Sequence, residues 1–342
     1  MEAIILAGGF GTRLRPLTYT RAKSLLPIMN KPMITYLIES LPKEVDTIIL
    51  AVNYRKKQLE EYFETYKTDK EIIVNEEPKP LGTGGAVKFA EELLTDQFFV
   101  LNSDIICSID LSDMISFHNK HDAVSTISLW PVENVSEFGV VEVDSNGNIH
   151  RFVEKPKPEN APSNLINAGA YFLDSSVLDY IKTGRLVSME KEIFPQIIND
   201  THKFFGYQFK GYWMDIGRIQ SYLDIHQFLF DHKNIDNYVG KNVENKGSIY
   251  HTVVGNNSKI GNQCILDSCV VLDNVIIDNQ CKISNAIIGS NAYIKQNVEL
   301  QSVVVGDNEQ IEDNTIASNK FVWTQEIPEG YPKKQIGNVI GE

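Results

Sequence analysis

The chain has 342 residues, of which 42% are hydrophobic and 10% aromatic, and a formal net charge of -13. That length accommodates two domains, and the apolar content excludes a chain without a packed core. The acidic balance argues against non-specific nucleic-acid binding. No run reaches the roughly 18 apolar residues of a membrane span, and "MEAIILAGG" lacks the basic start of a signal peptide.

"AIILA" reads as a buried strand. It runs into "GGFGTRLRPLTYTRAKSLLP", which carries Gly8, Gly9, Gly11, Arg13, Arg15 and Lys23 and is followed by no acidic residue before Glu39. A cationic loop on an acidic chain points to one small anionic ligand. Glycines let backbone N–H groups approach phosphate oxygens. Arg forks two such oxygens, and Lys supplies a point charge. No G-x-x-x-x-G-K-[ST] motif is present, and Gly9-x-Gly11 lacks the third glycine and the later acid of a dinucleotide fingerprint. By itself such a loop also reads as a tight turn with solvated cations.

Alternating elements follow. "PMITYLIESL" is helical, "TIILAV" a strand, "KKQLEEYFETY" a helix and "EIIVNEE" a strand. "GTGGAVKFAEELL" reads as a loop feeding a helix, and "QFFVLNSD" as a fourth strand. This alternation predicts an α/β fold with a doubly wound, mostly parallel sheet. Ligands of such sheets sit beyond the carboxyl ends of the strands. Three polar clusters converge there: the Gly9–Arg13 loop, Glu76–Gly85 and Asn102–Asp104. From Ala123 to Gly217 the pattern is richer in β, and a last helix is expected over Ile219–His232. His118 and His121 fall on a helix and are read as solvated rather than as ligands. Cys107, Cys264, Cys269 and Cys281 form no C-x-x-C pair, which fits reduced packing residues of a cytoplasmic protein.

Beyond "DHKNIDNYVG" the helical periodicity stops. Apolar residues recur at Val254, Ile260, Leu266, Leu272, Ile277, Ile283, Ile288, Ile294, Leu300, Val305 and Ile311, in steps of five or six. Three steps make one coil of a parallel β-helix, and the Gly, Asn and Asp that follow several sites suit its corners. "FVWTQEIPEGYP" is expected to cap the coils, and the end around Gly337 and Gly341 to be loose.

"LAGGFGTRLRPLT" and "KSLLP" resemble the first two motifs of the sugar-1-phosphate nucleotidyltransferases. "EEPKPLGTGGAV", "VLNSD", "FGVVEVD", "FVEKP", "INAGAYFL" and "GYWMDIG" continue the likeness in order. Within that family the chain is most similar to the mannose-1-phosphate guanylyltransferases. One departure is Ser24, where the family usually has Pro. The resemblance implies a nucleotide-diphospho-sugar transferase domain over 1–232, a left-handed parallel β-helix over 240–322, and a cap and tail over 323–342.

The implied reaction joins an NTP and a sugar 1-phosphate into an NDP-sugar and pyrophosphate. The sugar phosphate is its own nucleophile, so positioning and charge neutralisation suffice. By the resemblance, Mg²⁺ is held by Asp104 and Asp215, and Arg13 and Lys23 hold the triphosphate. Leu6, Ala7, Gly8, Gly9, Gly11, Thr12, Gly82, Thr83 and Asn102 line the nucleotide. Lys155 binds the sugar phosphate, with Gly139, Glu154, Asn167 and Gly169 around the sugar.

Glu77 takes the place of a Gln in uridylyl and thymidylyl enzymes. A carboxylate offers only acceptors, which suits the N1–H and N2–H₂ donors of guanine and repels N1 of adenine. GTP is therefore the favoured nucleotide, and the resemblance implies mannose 1-phosphate as its partner, with a homo-oligomer through the β-helix the expected assembly and neither nucleic acid nor membrane as partner. Uridylyl, thymidylyl or adenylyl transfer to glucose 1-phosphate stays open. So do heptose 1-phosphate with GTP, a catalytically silent subunit of the same fold, and an additional acyltransferase activity of the β-helix.

Overall fold

The computed structural model describes residues 1–332 and 339–340, so Gly337 and Gly341 lie outside the described residues. The chain forms two compact units. One is Met1–Gly9 with Tyr36–Met214, the other Phe10–Thr35 with Asp215–Glu342.

The first unit is an α/β sheet. Its strands are β1 (Glu2–Leu6), β2 (Thr47–Val52), β3 (Glu71–Glu76), β4 (Gln97–Asn102), β5 (Ile105–Cys107), β6 (Ser125–Pro131), β7 (Gly139–Val143), β8 (Ile149–Glu154), β9 (Leu165–Asp174) and β10 (Phe204–Gln208). The order β3-β2-β1-β4 is wholly parallel. Past β4 the sheet turns antiparallel through β9, which also pairs β6 and β7, and β8 pairs β7. The β-rich texture after Ala123 is this half, in which β10 pairs β6 in parallel. Helices α1 (Met33–Ser40), α2 (Lys56–Phe63), α3 (Gly82–Phe89), α4 (Leu111–Lys120) and α5 (Phe194–Thr201) lie between the strands in the chain.

The apolar run of β1 leaves Ala3, Ile4 and Ile5 fully buried, as expected for a parallel strand covered on both faces. Ile4, Ile49, Phe98 and Val100 pack in one cluster with Ala86 and Val87 of α3 and Phe194 and Ile197 of α5. α4 starts where the Asp110 carboxylate accepts from the N–H groups of Ser112 and Asp113, a helix cap worth about 1 kcal/mol.

His118 corrects the sequence reading. It is buried, with Nδ1 2.8 Å from Thr126 Oγ1 and Nε2 3.2 Å from Asp174 Oδ1. Both ring nitrogens are partnered, so the residue packs α4 onto β6 and β9 instead of facing solvent. His121 is half-buried against the Phe205 ring, 4.9 Å away.

In the second unit, α6 (Ile219–Lys233) precedes a left-handed parallel β-helix. After a first coil spaced by 15, its ladders pair residues 17 apart from Ser248 to Val322. Val254, Val271, Ile288, Val305 and Val322 form one column. Ile260, Ile277, Ile294 and Ile311 form the second. Leu266, Ile283, Leu300 and Ala317 form the third. The sequence reading took Leu272 for a site that the register assigns to Val271. With Val271 in place, the steps are six, six and five in each coil.

At one corner Asn257, Asn274, Asn291 and Asn308 all hold positive φ of 58–61°. The amide nitrogens of Asn257, Asn274 and Asn291 each donate to the next asparagine oxygen at 3.0–3.1 Å. Asparagine tolerates the left-handed backbone and stacks its own amide, which explains its density in the tail.

Phe10–Thr35 belongs to this unit. It contains three short turns of 3₁₀ helix, Thr12–Leu14, Leu17–Tyr19 and Lys23–Leu25. The Tyr19 ring lies 4.9 Å from Trp323 and 5.2 Å from Tyr331. Asn30 Nδ2 donates to Val254 O at 2.9 Å, and the Tyr222 hydroxyl donates to Pro27 O.

Candidate active site

In the α/β unit the register brings three strand ends side by side. Leu6 of β1 stands opposite Ala51 of β2 and Asn102 of β4. Ala7 N–H then donates to Ala51 O at 2.9 Å. Beyond it, a Cβ on Gly8 would lie 3.0 Å from Asn53 Nδ2, whereas one on Gly9 would meet nothing within 4 Å. Gly9 therefore presents bare backbone to open space. The Asn53 Oδ1 atom is buried with no hydrogen-bond partner among the described residues. The sequence reading did not single out Asn53, which sits in "AVNY" with no motif around it.

Glu77 follows β3 and is 7% exposed. Its Oε2 accepts from Leu81 N–H at 2.8 Å, which closes the turn into α3. Burial raises its carboxyl above the usual range, and the Leu81 N–H pulls the other way. Gly82 holds φ +73°, and its missing side chain leaves room for Val187 O, 2.6 Å from the ideal Cβ. A Cβ on Gly85 would stand 2.7 Å from Arg185 O. Thr83 Oγ1 donates to Glu190 Oε2 at 2.8 Å and accepts from Met189 N–H at 2.9 Å.

Glu190 is a centre that sequence reasoning missed. It lies in a single π-helical turn, Met189–Ile193, a local irregularity common near functional sites. Besides Thr83 it accepts from Ser188 Oγ at 2.6 Å and from the Tyr171 hydroxyl at 3.4 Å. Tyr171 in turn accepts from Asn167 Nδ2 at 2.9 Å, and Asn167 Oδ1 accepts from Gly169 N–H at 3.1 Å. One polar chain thus joins Thr83 to Asn167 and Gly169. Gly169 holds φ +81°, and an added Cβ would lie 2.8 Å from Asn102 Nδ2, so Asn102 and Gly169 meet directly.

Gly139 and Glu154 are register partners on β7 and β8. A Cβ on Gly139 would be 3.0 Å from Glu154 Oε2 and 2.4 Å from Phe152 Cζ. Desolvation raises the Glu154 carboxyl, the Glu190 charge adds to this, and Lys155 offsets part of it. Lys155 Nζ lies 3.7 Å from Glu154 Oε1, and its backbone sits at φ +49°. A non-glycine residue held there costs about 1 kcal/mol and is concentrated at functional sites. Asp104, two residues past the end of β4, is half-buried.

The remaining residues lie in the second unit. Gly11 takes φ +63° and caps the turn that carries Thr12 and Arg13. A Cβ there would approach Thr18 Cγ2 to 2.8 Å and Lys23 Cβ to 3.2 Å, so the chain folds Lys23 back beside Gly11. Thr18 Oγ1 donates to Gly11 O at 2.9 Å. Around Gly217, Arg13 Nη2 and Asp215 Oδ1 lie 2.8 and 3.0 Å from the point where a Cβ would stand. A guanidinium and a carboxylate therefore converge on a space that any side chain at 217 would fill. Ser24 is buried, and its hydroxyl has no partner among the described residues.

Residues 2–232 match the family described as Nucleotidyl transferase. The chain belongs to the nucleotidyl transferase family. Residues 237–336 match the GMPPB C-terminal domain. The chain is 44% identical over 229 residues to the mannose-1-phosphate guanylyltransferase catalytic subunit beta of Dictyostelium discoideum, covering 65% of this chain and 63% of that protein. It is 38% identical over 283 residues to the probable mannose-1-phosphate guanylyltransferase 3 of Oryza sativa subsp. japonica, covering 80% of this chain and 76% of that one. The match to the first relatives spans 62–63% of their length. Among solved structures, UDP-glucose pyrophosphorylase complexed with UDP-glucose superposes with a TM-score of 0.60 at 26% identity, covering 68% of this chain and 98% of that one. HddC from Yersinia pseudotuberculosis complexed with GMP-PN does so with 0.55 at 27% identity, covering 66% and 97%. The described residues include no helix long and apolar enough to cross a membrane.

Proposed function

We propose that this nucleotidyl transferase family member makes GDP-mannose and pyrophosphate from GTP and mannose 1-phosphate. The observation that carries this reading is the 43–44% identity, across the domain with all eight motifs, to several mannose-1-phosphate guanylyltransferases. The buried carboxylate of Glu77 supports the choice of base. One of its oxygens is committed to Leu81, and the other is left to accept from guanine.

The sugar phosphate oxygen attacks the α-phosphorus in line, and pyrophosphate leaves. Bare backbone at Gly8 and Gly9 receives phosphate oxygens, Arg13 and Lys23 neutralise the triphosphate, and Lys155 aligns the incoming phosphate. Glu154, Asn167 and Gly169, held by the Glu190 chain, take the sugar hydroxyls. The carboxylate oxygens of Asp104 and Asp215 are hard donors suited to Mg²⁺. Bound there, the ion would offset the phosphate charge that accumulates as the bond breaks. We also place the enzyme in the cytoplasm and assign its self-association to the β-helix, which exposes Tyr250, Ile265 and Ile316.

The test is a matrix of GTP, UTP, dTTP, ATP and CTP against mannose, glucose and heptose 1-phosphates, read by pyrophosphate release. GTP with mannose 1-phosphate is expected to give the highest kcat/KM. A maximum at UTP with glucose 1-phosphate would overturn the assignment.

A further inference from the structure

The buried carboxylate of Asp307 sits at a corner of the β-helix, 4% exposed. Its two oxygens have separate tasks. Oδ1 accepts from Ser290 N–H, one coil earlier, at 2.7 Å. Oδ2 accepts from Thr20 Oγ1 at 2.5 Å and from Arg21 Nη2 at 2.7 Å, and Arg21 also donates to Ser290 Oγ at 2.9 Å.

The first task is a repeated corner bond. Asp273, two coils earlier in the same column, accepts from Asn256 N–H through Oδ1 at 2.6 Å. Asn256 and Asn279 provide the same bond to Lys241 N–H and Asn262 N–H at 2.9 and 2.8 Å. One oxygen satisfies such a corner, and an asparagine supplies it. The second oxygen of Asp307 is surplus to the coil, and it is spent on two residues of the glycine–arginine–lysine loop.

A second grip lies nearby. The Tyr331 hydroxyl donates to Phe10 O and lies 3.0 Å from Thr18 Oγ1, whose own hydrogen goes to Gly11 O. The Arg15 guanidinium stacks over the Tyr19 and Tyr331 rings at 5.3 and 4.7 Å. Thr18, Thr20 and Arg21 fall between Arg13 and Lys23 in the chain, so these bonds fix the backbone that carries both cations.

We infer that Asp307 is a positioning residue for triphosphate binding, acting on Arg13 and Lys23 through Thr20 and Arg21. The inference rests on the proposed role of that loop in holding the nucleotide. A misplacement of about 1 Å at such a site costs up to ~10²-fold. It also assigns the β-helix a part in nucleotide affinity that does not depend on assembly.

The decisive variant is Asp307→Asn. It keeps an oxygen for Ser290 N–H and turns a donor toward Thr20 and Arg21. We expect KM for GTP and the dissociation constant for the fluorescent analogue mant-GTP to rise at least ~10-fold, with KM for mannose 1-phosphate unchanged. Asp273→Asn, the same change in the same column without the loop contact, is expected to leave all three unchanged. Thr20→Val removes one bond from the other side and is expected to raise the mant-GTP constant in the same direction. Asp307→Asn protein that binds mant-GTP like the wild type, or an equal loss in Asp273→Asn, overturns the inference alone. Wild-type protein that binds no mant-GTP overturns the loop's proposed role and the inference with it.

Discussion

Two glycine-rich stretches of this chain have similar sequences and opposite surroundings. Around Gly9 the space a side chain would take is open for 4 Å. Around Gly82, Gly84 and Gly85 it is occupied by Val187 O, Val187 Cγ1 and Arg185 O, 2.6–3.1 Å from the ideal Cβ positions. In the second stretch N–H groups also face protein, since Gly84 N–H donates to Val187 O at 2.9 Å. Glycine permits close backbone approach in both places. What approaches differs: residues 185–187 at the second, and at the first whatever ligand the site receives. The "LGTGGA" stretch is thus a packing element whose glycines hold α3 against residues 185–187, while the space at Gly9 is open.

The largest effects should appear at the charged residues of the proposed site. Arg13→Ala, Asp215→Ala and Asp104→Ala are each expected to lower turnover by ~10²-fold or more, the usual cost of removing one charge-stabilising group. Thermal midpoints should stay near wild type. Near-full activity with Mg²⁺ in any of the three would remove that residue from the site.

Alanine at the two stretches separates their roles. Gly85→Ala drives a methyl into Arg185 O and should destabilise the protein by about 1–3 kcal/mol, read as a shift of several degrees in Tm. Gly9→Ala should leave Tm within error and weaken nucleotide binding instead. Equal Tm losses would erase the distinction.

Glu77→Gln tests the base on the border of the packing stretch. It should cut kcat/KM for GTP about 10-fold and narrow the gap to UTP and dTTP, with mannose 1-phosphate KM unchanged. The pH dependence carries a sign. Because burial raises the Glu77 carboxyl above its ordinary 4.5, the ionised form that accepts from guanine is lost earlier as pH falls. The acid limb of kcat/KM for GTP should therefore lie above 4.5 and shift in Glu77→Gln. For stability the direction is opposite: a raised carboxyl contributes below its unfolded pKa, and that contribution is lost as pH rises through the folded one.

The smallest effect on catalysis is expected far from both stretches. Ile316 is 79% exposed on the β-helix. Ile316→Asp should lower the particle mass in light scattering and leave activity within about 2-fold, as for surface changes away from a site. An unchanged mass would move self-association to another surface.

By itself the sequence determined the strand ends, the hexad texture and the order of the motifs. Each of these follows from local rules: apolar runs for buried strands, a step of five or six for coils, and residue types whose chemistry suits phosphate. The resemblance grouped Gly139 with Glu154, and the structure makes them register partners, whereas it brings Asn102 of the expected nucleotide set against Gly169 of the expected sugar set. Only the tertiary structure decided what fills the glycine spaces at 82–85, that His118 is buried, and that Val271 rather than Leu272 enters the ladder. It also decided that Phe10–Thr35 packs with the C-terminal unit, held by Asp307 and Tyr331. The physical reason is separation along the chain. Thr83 and Glu190 are 107 residues apart, and Thr20 and Asp307 are 287 apart. A periodicity or a motif reports on neighbours within a turn or a coil, whereas a second carboxylate oxygen reveals its purpose only when the partner it binds is folded against it.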